Sequence, residues 1–257
     1  MAFALSQAAL AAGHRLFAFD EIGSTNAEAL ARARKGEGGP CWFVTDRQTA
    51  GRGRRGNAWE TPRGNLAATF LLTVATPPAV TANLAFAAGL AVREALLAFA
   101  PASAPVLKWP NDVLVGGAKI AGILLETETA GQGRAALAIG IGVNVVAAPQ
   151  GLPYRAIALS DLAAEASAGA VFAALSQTLP EAISAWDEGR GLPPMRERWL
   201  ACAAGLGREI TVRAGDNVSR GTFETLDADG RLVLRLAGGG RQTVGAGEVH
   251  LANELGA

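Results

Sequence analysis

Between Val106 and Val145 the chain alternates apolar, strand-like runs with very short turns, so neighbours in sequence must become neighbours in a sheet. The runs are Val106–Trp109, Asp112–Val115, Lys119–Thr127 and Ala135–Val145. Gly116–Gly117 reads as a tight hairpin turn between the second and third, and Gly131–Gln132–Gly133 does the same before the fourth. Upstream, Arg15–Phe19, Cys41–Thr45 and Leu66–Val74 read as further strands. Gly23–Ser24–Thr25–Asn26 offers capping residues to a helix whose Ala27, Leu30, Ala31 and Arg34 fall at helical spacing. Ala79–Ala100 reads as a buried Ala/Leu-rich helix. Helices are also expected at Ser160–Ala166, Val171–Trp186 (kinked at Pro180) and Pro194–Ala201.

After Gly205 the texture changes. Glu209–Arg213, Ser219–Leu226, Leu232–Leu236 and Arg241–Val244 are short strands separated by Gly, Asp and Asn turns. They predict a small SH3-like β-barrel over residues 206–257, behind a larger domain over 1–205.

The 257 residues, half of them hydrophobic, suffice for one sizeable core and a smaller one. Acidic and basic residues balance at 23 each, which argues against a general polyanion binder. No DNA partner is expected. Two cysteines, Cys41 and Cys202, form neither a disulfide framework nor a zinc pattern, and the two histidines lie near opposite ends. No metal site built from side chains is expected. The apolar start, Met1–Gly13, lacks a basic flank and is too short to span a bilayer, so the reading is cytoplasmic with no membrane partner. Of the basic residues only Lys35, Lys108 and Lys119 are lysines. Where Arg serves as the ordinary cation, a lysine stands out for its compact, titratable ammonium.

Arg47–Gly64 is rich in Gly and Arg and lacks an apolar period, so it is expected to be a long loop. Within it, Gly51-Arg-Gly-Arg-Arg-Gly56 matches the spacing of a dinucleotide-binding turn. That turn needs a helix directly behind it and an acid about twenty residues on. Neither follows here. The remaining reading is a loop that closes over a phosphate with backbone N–H groups and guanidinium forks. In Lys108-Trp-Pro-Asn-Asp112, Pro110 fixes a turn that presents Lys108, Asn111 and Asp112 from a strand end. Lys119 starts the strand across the hairpin, near Asp112. Gly122, Gly140 and Gly142 inside strands mark close approach of a ligand or of another part of the chain. Each segment alone also has a plain structural use as a solvated loop, a turn or a cap.

Together, Gly23-Ser-Thr-Asn26, Gln48-Thr-Ala-Gly-Arg-Gly-Arg-Arg-Gly56, Lys108-Trp-Pro-Asn-Asp112, Lys119-Ile-Ala-Gly-Ile-Leu-Leu-Glu126 and Gly140-Ile-Gly-Val-Asn144 resemble the biotin–protein ligases. The resemblance runs in order from about Phe17 to Val145, and Leu206–Leu251 looks like that family's C-terminal domain. The lipoate–protein ligases share the reaction type, but the arginine loop and Lys-Trp-Pro-Asn-Asp look like the biotin branch.

The resemblance implies an α+β fold, a mixed β-sheet with flanking helices as in class II aminoacyl-tRNA synthetases. It implies biotin and ATP as substrates, Mg²⁺ carried mainly by the ATP phosphates, a biotin carboxyl carrier domain as partner, and compatibility with a homodimer. It also assigns parts. Ser24, Thr25, Asn26 and Gln48 would bind biotin, with Arg52, Gly53 and Arg54 folding over it and Lys119 contacting its carboxylate. Arg52, Arg54, Arg55, Trp59, Lys108, Asn111, Lys119 and Asn144 would hold ATP or the adenylate. Arg54, Lys119 and Asp112 would be catalytic.

Overall fold

The computed structural model describes residues 3–162 and 165–251. After a short helix, α1 (Gln7–Ala11), come strand β1 (Arg15–Ala18), helix α2 (Thr25–Ala33) and strands β2 (Cys41–Thr45) and β3 (Leu66–Val74). Helices α3 (Pro78–Thr81) and α4 (Leu84–Leu97) follow. Strands β4 (Val106–Lys108), β5 (Asp112–Val115), β6 (Ala118–Gly131) and β7 (Arg134–Val143) then run consecutively, as the turn chemistry predicts. Helices α5 (Ala168–Trp186) and α6 (Leu192–Ala201) lead to β8 (Glu209–Ala214), β9 (Asn217–Leu226), β10 (Leu232–Arg235), β11 (Arg241–Val244) and β12 (Glu248–Leu251).

The first seven strands form one sheet in the order β1-β2-β3-β7-β6-β5-β4. Only β1 and β2 pair in parallel, so the sheet is mixed. Side chains alternate across it with period two. On β2, Trp42 and Val44 enter the large core under α4 and α5, while Cys41 and Phe43 enter a smaller core under α2. Both faces are covered there, which explains why every residue of β2 is buried.

Helix α2 is short and covers only part of its face. Its side chains meet Ala136 and Ala138 of β7. The same face of β7 continues with Gly140, which meets Asn26 in the first turn of α2, and with Gly142, which meets the Trp59 indole instead of a helix. The register then extends a row across the strands: Lys108 faces Asp112, Asp112 faces Gly122, Gly122 faces Gly142, and Gly142 faces Ala67. This row is the floor of a pocket.

The structure revises several expectations. The Ala79–Ala100 helix is two helices, and Ser160–Ala166 contributes only a 3-10 turn at Leu159–Leu162, residues 163 and 164 of that stretch lying outside the described residues. Helix α5 passes through Pro180 without interruption. Pro78–Leu97 is the one described stretch long and apolar enough to cross a membrane by composition. It is mostly buried and is broken between α3 and α4, as befits core helices.

The SH3-like barrel is not formed. The last five strands make an open sheet in the order β11-β10-β9-β8-β12, and no ladder joins its edge strands β11 and β12. A barrel needs that ladder. Here the segment between the edges, Gly245–Gly247, leaves the sheet toward the pocket, where the Gly247 carbonyl accepts a hydrogen bond from Arg54 at 3.3 Å.

Candidate active site

The Arg47–Gly64 segment folds over the glycine floor as an irregular flap rather than an open loop. Isolated bridges pair Gln48 with Thr61 and Arg52 with Ala58. The Trp59 amide donates to the Gly51 carbonyl at 3.0 Å, and the Trp59 indole lies flat against the floor. A Cβ at Gly142 would sit 2.2 Å from this ring, and one at Gly122 would sit 3.0 Å from it. These two glycines therefore exist to admit the tryptophan. No helix follows Gly56, which removes the dinucleotide-turn reading structurally as well.

Lys119 reaches the site because of a β-bulge. Leu114 opposes Lys119 and Val113 opposes Ala121, so Ile120 is an extra residue in the ladder. Strict alternation would have turned Lys119 toward the large core with Ala121 and Ile123. The bulge turns it to the pocket face instead. Its Nζ lies 2.7 Å from Asp112 Oδ1, 5.3 Å from the Trp59 ring centroid and 5.5 Å from that of Tyr154. Asp112 Oδ1 is buried, with the Lys119 ammonium as its ion-pair partner.

At the other end of the pocket, Ser24 caps α2 by accepting from the Ala27 amide at 3.4 Å. Gln48 Oε1 accepts from the Thr25 amide at 2.9 Å and lies 3.1 Å from its hydroxyl; Gln48 Nε2 donates to Thr61 Oγ1 at 3.3 Å. Thr69 donates to Asn26 Oδ1 at 2.6 Å, and Asn26 Nδ2 donates to Glu126 Oε2 at 2.8 Å. Gly140 leaves room for this carboxamide, since a Cβ there would lie 2.4 Å from Asn26 Oδ1.

Arg54 reaches across the flap, donating to Asn111 Oδ1 at 3.2 Å as well as to Gly247. Burial lowers its pKa, with the neighbouring charge of Arg55 adding to the effect. A guanidinium remains charged under such a shift, so the site presents a desolvated, permanent cation.

Ser24, Thr25, Asn26, Gln48, Arg52, Gly53, Arg54, Arg55, Trp59, Lys108, Asn111, Asp112 and Lys119 all line this one pocket. Asn144 does not. It is buried, donating Nδ2 to the Ile157 carbonyl at 3.2 Å, and its Oδ1 has no partner among the described residues. Asn111 is also engaged at both ends, its Nδ2 donating to the Ile123 carbonyl at 2.7 Å. Trp109 points away from the pocket and donates Nε1 to the Gly230 carbonyl at 3.3 Å, tying the C-terminal sheet to the Lys-Trp-Pro-Asn-Asp turn.

Sequence reasoning missed Thr61, Thr69, Glu126, Tyr154, Arg155, Gly247 and Glu248. Thr69 had a usable signal, a hydroxyl in the middle of the apolar strand Leu66–Val74. Tyr154 and Arg155 arrive because their segment runs beside Lys119, whose amide donates to the Arg155 carbonyl at 2.8 Å. No local pattern announces that pairing.

The sequence matches the Biotin/lipoate A/B protein ligase family over residues 22–144 and the Biotin protein ligase C terminal domain over residues 205–251. The biotin--[acetyl-CoA-carboxylase] ligase of Paracoccus denitrificans is 42% identical over 232 residues, spanning 88% of this chain and 96% of that protein. The chain belongs to the biotin–protein ligase family. The biotin--[acetyl-CoA-carboxylase] ligase of Mycobacterium tuberculosis is 34% identical, spanning 89% of this chain and 86% of that one. Among solved structures, the Aquifex aeolicus biotin protein ligase in complex with biotin and ATP superposes with a TM-score of 0.77 at 26% identity. It covers 92% of this chain and 98% of its own. This biotin–protein ligase family member therefore carries the family's mixed-sheet catalytic fold, and its C-terminal sheet belongs with that family's C-terminal domain.

Proposed function

We propose that the chain activates biotin with ATP as biotinyl-5'-AMP and transfers the biotinyl group to a lysine of a biotin carboxyl carrier domain. The observation that carries this reading is the single pocket in which the Thr25–Gln48–Asn26 network, the arginine flap and the Lys119–Asp112 pair share one glycine floor.

In the first step the biotin carboxylate attacks the α-phosphorus of ATP and pyrophosphate leaves. Two anions must meet while charge builds on phosphate oxygens. Lys119 and Arg54, which line the same pocket, would stabilise that charge, and the flap would shield the site from water. Ser24, Thr25, Asn26 and Gln48 offer donors and acceptors suited to a ureido head, with Arg52 and Gly53 closing over it. Trp59 offers an aromatic face, and Arg55 and Lys108 add positive charge at the pocket wall. Asn111 would exchange its bond to Arg54 for a contact with the nucleotide. The partnerless Oδ1 of Asn144 would accept from an adenine amino group.

Among the described residues no cluster of three metal-binding side chains exists, and Asp112 already faces Lys119. That donor set suits Mg²⁺ held by ATP phosphate oxygens and water, where it would neutralise phosphate charge.

In the second step the amine of the carrier lysine attacks the acyl carbonyl and AMP leaves. Asp112, which faces the Lys119 ammonium from the end of β5, would accept the proton of the carrier ammonium. The test is incubation with ATP, magnesium and a carrier domain, adding either biotin or lipoate. A mass gain on the carrier with biotin alone is the expected result. A gain only with lipoate, or none with either, would reject the proposal.

A further inference from the structure

Glu126 is the last residue of the Lys119–Glu126 segment and has no part in the chemistry above. Period-two alternation puts it on the pocket face of β6, in line with Gly122 and Leu124, where it opposes Ala138. One of its oxygens, Oε2, receives two donors: Asn26 Nδ2 at 2.8 Å and Arg52 Nη2 at 3.2 Å. Its side chain is 27% exposed, so the pair is partly shielded from water.

The two contacts do different work. A carboxylate can only accept, so it fixes the Asn26 amide with nitrogen outward and Oδ1 toward the Thr69 hydroxyl. The second contact ties the flap down. Arg54 holds the flap on the side of Asn111 and the C-terminal sheet. Arg52 to Glu126 is its ion pair on the side of α2. Among the described residues, no other flap side chain forms an ion pair with the sheet that floors the pocket.

We propose that Glu126 is a positioning residue that latches the arginine flap to the floor of the biotin pocket and so retains the acyl-adenylate. The role in adenylate retention rests on the function proposed above. Without the latch the flap stays tethered at Arg54 but lifts at Arg52, and the intermediate escapes or meets water before a carrier arrives. Because one oxygen serves both Asn26 and Arg52, a correctly ordered pocket and a closed flap favour each other.

The experiment is a release assay. Labelled biotinyl-5'-AMP is formed on the protein from biotin, ATP and magnesium, then chased with unlabelled biotinyl-5'-AMP. Glu126→Ala and Arg52→Ala are each expected to speed release about threefold to tenfold, the scale of a partly shielded charge pair. The double variant should be no faster than the faster single, because both remove one interaction. Glu126→Gln keeps an oxygen for Asn26 and the shape of the side chain. It should fold like the parent, with intermediate release that no longer responds to added salt, whereas release from the parent should quicken with salt.

Release rates equal to the parent in Glu126→Ala and Glu126→Gln would overturn the latch, as would multiplying effects in the double variant. Failure of the parent itself to form adenylate would instead overturn the proposed function, so the two failures are separable.

Discussion

Two lysines of this chain should behave in opposite ways. Lys119 sits under the flap with its ammonium against Asp112 and two aromatic rings, whereas Lys35 is exposed one residue past the C-cap of α2. There a cation only complements the helix dipole. Lys119→Ala should abolish biotin-dependent pyrophosphate release, and Lys35→Ala should leave it near the parent rate; equal activity in both would remove Lys119 from the phosphate. Asp112→Asn separates the half-reactions. The carrier lysine must lose a proton from a group with a pKa near 10.4. The variant should therefore still form adenylate in a single turnover while transfer slows by about a hundredfold or more, with partial recovery at high pH. If adenylate formation and transfer fall together, Asp112 serves the first step or the turn and is not the base. The lysine and the aspartate were both visible in the sequence as members of short motifs. Their contact was expected from the hairpin, but the bulge at Ile120 that aims Lys119 correctly was not, because a bulge is a property of the pairing and not of one strand.

At the scale of elements, β6 and β7 act as a slot for Trp59. Gly142→Ala places a methyl 2.2 Å from the Trp59 indole, too close for the ring to stay where it is. Gly122→Ala places one 3.0 Å from the ring and 3.2 Å from the flexible Lys119 side chain. The first should weaken ATP binding and shift the tryptophan emission markedly; the second should do so less. Equal effects in titrations of the two variants would mean that Trp59 does not rest on that floor. Away from the site, the end of α1 meets β2 through His14, whose Nδ1 accepts from Trp42 Nε1 at 3.4 Å. Burial lowers the His14 pKa below its ordinary value near 6.5. The unfolded chain then takes up the proton first, so this contribution is intact above the ordinary pKa and is lost as pH falls toward the folded one. Melting temperature should therefore drop on acidification through this window, and His14→Phe should flatten that part of the profile. The strands and most helices were legible because period and turn residues are local signals. Exceptions were the break at Ala82–Asn83, the 3-10 turn at Leu159–Leu162 in place of a helix, the unbroken passage of α5 through Pro180, strand β12 and helix α1, where packing between distant segments outweighs the local signal.

For the whole molecule, the C-terminal sheet is docked onto the catalytic part beside the active-site turns. Gly230 has φ +79°, and a Cβ there would lie 2.4 Å from Phe86 and 2.7 Å from Asn83 of the α3–α4 region, while its carbonyl accepts a hydrogen bond from Trp109 Nε1. Gly230→Ala should cost about 1–3 kcal/mol in urea unfolding, from left-handed strain and lost close packing. An unchanged midpoint would show that this docking adds nothing to stability. By itself the sequence determined the strand and hairpin order and the motifs that mark the family, because hydrophobic period, turn glycines and short motifs are written over a few residues each. Only the tertiary structure decided which face Lys119 takes, that Trp109 braces while Trp59 lines the pocket, that the Asn144 side chain is buried against Ile157, and that the last five strands stay open. Each of these depends on register or packing between segments far apart in the chain, and a one-residue change in pairing reverses the face of every side chain beyond it.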